Sequence, residues 1–196
     1  MFLALVVIGY FIFTYAASSN AKYIAPEAFT SCGTQPCWCP GQETLDISQK
    51  GAMEFTMRCM VNYARKVAGL SQLADGPNLD QSATDKNRDL VSCAQFSHTA
   101  CGRKQTYWFF ADGFLPGSTY WKAGENLAWG TLAGGQGSPR SVMTMWINSA
   151  EHRAQILNPK FQVQGMSVRL SAALFGHAQV FTWVNHFGCR NSVTCK

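Results

Sequence analysis

The stretch Trp146-Ile147-Asn148-Ser149-Ala150-Glu151-His152-Arg153 decides how the rest of this chain is read. Just before it, Ser138-Pro139 marks a helix start: serine offers an N-cap oxygen, and proline has no N–H to lose at the first helical position. Val142, Met145, Trp146 and Ser149 then continue on one side of that helix. The Gly-rich residues 131–137 upstream read as a loop. Beyond Pro159 the period changes, with Met166, Val168 and Leu170 alternating with Ser167 and Arg169. Val180-Phe181-Thr182-Trp183-Val184 is β-branched and aromatic, so two strands are expected here. Residues 171–177 between them contain Gly176 and are few enough to join an antiparallel pair.

Toward the N-terminus, Met53, Met57, Met60, Ala64 and Val67 recur at intervals of three and four, which predicts a helix with one apolar stripe. Ser48 is its candidate N-cap and Gly69 its stop. A shorter helix is expected from about Leu79 to Val91, with Leu79, Ala83, Asn87 and Leu90 near one face. Residues 22–42 are rich in Pro, Gly and Cys without a sustained period and read as a stapled extension. Residues 1–17 are almost wholly apolar and are followed by Ser18-Ser19-Asn20, the pattern of a signal segment with Ala16 and Ala17 suited to cleavage. The stretch lacks a positive n-region, and its length reaches the short end of a bilayer span, so an uncleaved anchor is the alternative. The expected organisation is a signal segment at 1–17, an extension at 18–46, one domain at 47–189 and a short tail at 190–196.

Composition narrows the function classes. With 47% hydrophobic and 13% aromatic residues, 196 residues can bury one substantial core. Only 14% are charged, and the net charge of +5 is scattered rather than gathered in a run, which argues against nucleic acid as a partner. A mildly basic surface is compatible with anionic membranes or acidic polysaccharides. The cysteines, Cys32, Cys37, Cys39, Cys59, Cys93, Cys101, Cys189 and Cys195, are even in number and follow a secretory signal, so disulfides are expected. Zinc is the rival for Cys32, Cys37 and Cys39, but their spacing does not form paired C-x-x-C hooks. Cys93 and Cys101 bracket one short loop and are the best single pair. No Asn-x-Ser/Thr sequon is present.

Four signatures follow in order: Asn62-x-x-Arg65-x-x-x-Gly69-Leu70, Phe96-Ser97-His98, Gly124-Glu125-Asn126-Leu127 and Trp146-x-x-Ser149-x-x-His152-Arg153. Together with Ile156-Leu157-Asn158-Pro159, Phe161, Gly165 and the closing Trp183-x-x-x-Phe187-Gly188, they resemble the CAP superfamily of cysteine-rich secretory, venom-antigen and pathogenesis-related (SCP-domain) proteins. The likeness is greatest to its compact bacterial-type variant. It implies an α+β fold, a disulfide-stabilised three-layer α-β-α sandwich with an antiparallel sheet. It also implies an open cleft on whose floor His98, His152 and Glu125 converge. In larger members a second acidic residue lies three positions after the tryptophan, where this chain has Ser149. Glu151 is nearby, but two helical residues lie about 200° apart, so it substitutes only if the helix ends or bends there.

Two imidazoles and a carboxylate suit zinc or another first-row divalent metal, although no cofactor is required by the resemblance. The same trio could shuttle protons, since a carboxylate beside a histidine fixes its tautomer. A third reading makes His98 and Glu125 partners that satisfy one another across the cleft. Ser149 has no nucleophile elbow around it and reads as a polar residue at a helix end. His177 and His186 are expected to be partly exposed, with local hydrogen bonds, and are not site candidates. Tyr107, Trp108, Phe109, Phe110, Phe114, Tyr120 and Trp121 form an aromatic concentration, most of it expected in the core, with two or three rings able to make an apolar patch. The functional expectation is a secreted, non-enzymatic binding module for a lipid or sterol, a glycan or a protein, with membrane-surface association among its outlets. The alternative is a metal-dependent or acid/base hydrolase using His98, Glu125 and His152.

Overall fold

The computed structural model describes residues 39–195. The signal segment and Cys32 and Cys37 of the extension lie outside the described residues. The elements are α1 (Lys50–Val67), β1 (Ala74–Asp75), α2 (Pro77–Ser92), α3 (Tyr107–Ala111), β2 (Trp121–Thr131), α4 (Pro139–Asn148), α5 (Ala150–Ile156), β3 (Val163–Leu174) and β4 (His177–Arg190). The strands form one sheet in the order β1-β3-β4-β2. The β2–β4 and β3–β4 pairs are antiparallel, as expected, and the two-residue β1 adds a short parallel pairing on β3.

Side-chain alternation builds the three layers. Met166 and Val168 of β3, Phe181, Trp183 and Phe187 of β4 and Ala128 of β2 point to one face, where α1, α4 and α5 cover them in the main core. The intervening positions face α2: Leu127 and Val184 pack on Ala83 and Leu90. Gly165 lets α2 approach, because a Cβ there would fall 2.1 Å from the Leu79 carbonyl carbon. Buried Asn87 then joins helix to sheet, donating to the carbonyls of Ser167 (3.2 Å) and Thr182 (3.0 Å) and accepting from the Thr182 hydroxyl.

Several local expectations change. Ser48 does not cap α1; Asp46 accepts from the Ser48 N–H and caps a 3-10 turn over Ile47–Gln49, and α1 begins after it without a side-chain cap. Met145 is 42% exposed, and α4 buries Val142, Met143, Trp146 and Ile147 instead. The β3–β4 connection contracts to a turn at Phe175-Gly176, both at positive φ (53° and 79°). Strand β2 itself was not expected, because Gly124, Glu125, Asn126 and Gly130 interrupt the hydrophobic alternation.

Disulfides join Cys39–Cys59, Cys93–Cys101 and Cys189–Cys195. The first takes Cys39 out of any zinc-type grouping. It also fastens the end of the extension to α1, where the Thr56 hydroxyl donates to the Pro40 carbonyl. Replacing Cys93 and Cys101 together by alanine is expected to lower stability by about 2–3 kcal/mol on loop-closure grounds, read as a shift of the urea midpoint.

Candidate functional site

The floor of the site is a cross-strand pair. Glu125 of β2 stands directly opposite His186 of β4, and both point toward α2. The buried face of α2 supplies Ser82 and, one turn on, Lys86. Glu125 is fully buried, and each of its oxygens is engaged. Oε1 accepts from His98 Nδ1 at 2.6 Å, and Oε2 accepts from His186 Nε2 at 2.8 Å. Lys86 Nζ lies 4.0 Å from Oε1 and donates to the carbonyls of Ser97 (2.8 Å) and His98 (2.7 Å), so it fixes the loop that carries His98.

Burial alone would push the Glu125 carboxyl upward. The hydrogen bonds from His186 and His98, with the positive charge of Lys86 behind them, outweigh it and hold the group at about 2. Burial lowers the Lys86 pKa and depresses His186 below its ordinary value, which keeps that imidazole neutral. His186 Nδ1 then accepts from the Ser82 hydroxyl at 2.7 Å. Phe109 of α3 stacks on its ring at 4.2 Å between centroids. The expectation that His186 is a partly exposed bystander is therefore wrong: it is completely buried and is the second imidazole on Glu125.

His152 occupies a different setting from His98. Its Nδ1 lies 2.8 Å from Ser149 Oγ, and its carbonyl accepts from Asn126 Nδ2 of β2 at 3.0 Å. It does not bond Glu125, although a charge on His98 is close enough to add to the burial that lowers its pKa. Ser149 ends α4 in an extended conformation and caps α5. Its hydroxyl donates to Glu151 Oε2 at 3.0 Å, so the helix break brings Glu151 to the cap and not to the cleft floor.

A metal-ligand set of His98, Glu125 and His152 does not fit this geometry. Both Glu125 oxygens are occupied by imidazole N–H donors, and the second acidic position is a capping serine. Among the described residues no group of three His, Cys, Asp or Glu is placed to hold an ion.

A second surface lies on the outer side of α3. Phe109 and Phe114 are buried, but Tyr107, Phe110, Tyr120 and Trp121 are exposed by 39–46%, more rings than the sequence led us to expect. Phe110 meets Trp121 edge to face at 5.8 Å, Lys104 lines a hollow with Tyr107 and Phe110, and the Arg103 guanidinium sits 5.3 Å above the Tyr107 ring.

Comparison with known proteins places this arrangement. The Bacillus subtilis protein YkwD is 32% identical over 161 residues, 82% of this chain and 56% of its own length, so the chain spans little more than half of that relative. The fold is shared with a cysteine-rich secretory protein from Staphylococcus aureus (TM-score 0.54, 18% identity, 72% of this chain and 40% of that one). It is also shared with an outer surface protein from Borrelia burgdorferi (TM-score 0.57, 18% identity, 75% and 97%). An extracellular protein containing an SCP domain from Bacillus anthracis aligns likewise (TM-score 0.52, 18% identity, 74% and 42%). The model of the cysteine-rich secretory protein family matches residues 59–187, which contain all four signatures and every member of the Glu125 network, and the chain belongs to that CAP family.

Proposed function

We propose that this chain is a secreted, non-enzymatic binding module that takes an amphipathic partner, a lipid or sterol, a glycan or a protein, on the aromatic surface of α3 and the start of β2. The observation that carries this reading is the grouping of Tyr107, Phe110, Tyr120 and Trp121 at the surface of a domain whose other large apolar side chains are mostly buried. Rings of this kind offer apolar area with little rotamer entropy to lose, and a basic rim from Lys104 and Arg103 favours a partner carrying negative charge. The extracellular and outer-surface character of the structural neighbours supports secretion. No helix among the described residues is long and apolar enough to cross a membrane. A hydrolytic alternative at His98, Glu125 and His152 gains nothing from the geometry, since both Glu125 oxygens are taken by imidazole N–H groups and its carboxyl is held at about 2, far from the range of a general base.

The test compares the wild-type protein with Phe110→Ser/Trp121→Ser in co-sedimentation with phosphatidylcholine vesicles containing phosphatidylserine, alongside an array of immobilised glycans. Losing two rings is expected to weaken capture by about tenfold or more on whichever surface binds. Equal behaviour of both proteins on every surface removes the reading.

A further inference from the structure

The hydrogen bonds around Glu125 fix where each proton sits. An ionised carboxylate only accepts, so His98 must carry its proton on Nδ1 and His186 on Nε2. His186 Nδ1 is then a bare acceptor, which matches the Ser82 hydroxyl facing it at 2.7 Å. Every polar atom in the run Ser82, His186, Glu125 and His98 thus has one consistent role, except His98 Nε2. That atom makes no hydrogen bond among the described residues, on a side chain that is 50% exposed. His152 arrives at the same state by another route: the Ser149 hydroxyl donates to Glu151, so Nδ1–H donates to Ser149 Oγ and Nε2 is left bare.

We propose that His186 is a positioning residue of the cleft, which by occupying Glu125 Oε2 holds His98 as the Nδ1–H tautomer and leaves His98 Nε2 as a bare hydrogen-bond acceptor. The alternative partner for the carboxylate is Lys86, whose ammonium is 4.0 Å from Oε1 and already buried. Without a donor on Oε2, a buried carboxylate gains more by turning toward that ammonium than by staying on His98. His98 would then lose its acceptor and exchange between tautomers. His186 performs internally what a cation on Glu125 would otherwise do, which accounts for the poor fit of that residue as a metal ligand. This inference does not depend on what the aromatic surface binds.

The test is the ring-nitrogen NMR spectrum of the uniformly 15N-labelled, oxidised protein above neutral pH. His98 and His152 are expected to show Nδ1 protonated and Nε2 bare, and His186 the reverse. His186→Gln keeps an acceptor toward Ser82 and an N–H toward Glu125, and is expected to leave the His98 signals in place. His186→Leu is expected to move both His98 nitrogens toward the averaged position of mixed tautomers. Should the leucine variant not fold, His186→Met gives the comparison, since methionine also donates nothing to Glu125 and adapts its shape to the buried site. A wild-type His98 protonated on Nε2 overturns the proposal, and so does an unchanged His98 in the leucine variant, or in His186→Met where that variant must stand in.

Discussion

Arg65→Met is expected to lower the unfolding free energy by about 3–5 kcal/mol, from the summed loss of several partners for buried carbonyls. Arg65 is 1% exposed and meets no carboxylate among the described residues. Its guanidinium donates instead to four backbone carbonyls: Nε to Ser71 (2.8 Å), Nη1 to Ile156 (2.8 Å) and Asn158 (2.9 Å), and Nη2 to Phe161 (3.4 Å). Burial lowers its pKa to about 10, which leaves it charged at neutral pH and dependent on those carbonyl dipoles. Methionine fills the volume but donates nothing, so the carbonyls at the end of α5 and in the following turn lose their partners in a place water reaches poorly. Arg65→Lys is expected to recover about half, because an ammonium cannot span donors set in a fork. Equilibrium unfolding in urea checks both, and a loss below about 1 kcal/mol for Arg65→Met would show that the turn relaxes around the gap.

The same residues explain a signature that carried recognition but had no physical account. In Asn62-x-x-Arg65-x-x-x-Gly69-Leu70, Asn62 clasps the backbone of Leu73 through its N–H (2.8 Å) and carbonyl (3.0 Å). Gly69 takes φ +73° to end α1, and Arg65 reaches across to the segment after His152. The motif is a clamp that ties α1 to α5 and so steadies the histidine end of the cleft.

Helices α1, α2 and α4 were legible because their apolar positions keep a helical period, and β3 and β4 because theirs alternate. Strand β2 was not, since its buried inward positions are filled by polar Glu125 and Asn126, whose partners come from elsewhere in the chain. Missing β2 also hid His186, because only the register that sets Glu125 opposite His186 reveals that the two meet. A signal was present: continuing the alternation Val180, Thr182, Val184 puts His186 on the inner face beside a signature carboxylate. His98 and Glu125 were found through their signatures and do meet. His152 was found too, yet Ser149 engages its Nδ1, a detail that depends on α4 stopping at Asn148. The exposure of Phe110 and Tyr107 was unreadable for a different reason. A five-residue helix has too few turns for periodicity to choose a face.

Glu125→Ala is expected to lose about 3–5 kcal/mol, because it strands the buried N–H of His186 and takes from the buried Lys86 ammonium the larger of the two carboxylate charges that act on it, leaving Asp89. Glu125→Gln should lose only about 1–2 kcal/mol. Its oxygen can still accept from His186, while its amide donates to His98 Nδ1, provided His98 shifts its proton to Nε2; that ring is half exposed and free to do so. The pH profile separates a lost charge from a lost shape. Glu125 is depressed from 4.5 to about 2 in the folded protein, so its contribution is present above 4.5 and disappears as pH falls through about 2. His186 and His152 are also depressed, which means the unfolded chain takes up their protons first and stability begins to fall below about 6.5. In the glutamine variant the histidine-linked fall should persist and the loss between 4.5 and 2 should be smaller than in the wild type. Thermal midpoints measured from about pH 8 to about pH 2 decide this. An acid limb identical in both proteins would mean that the Glu125 charge does not hold the cleft floor together.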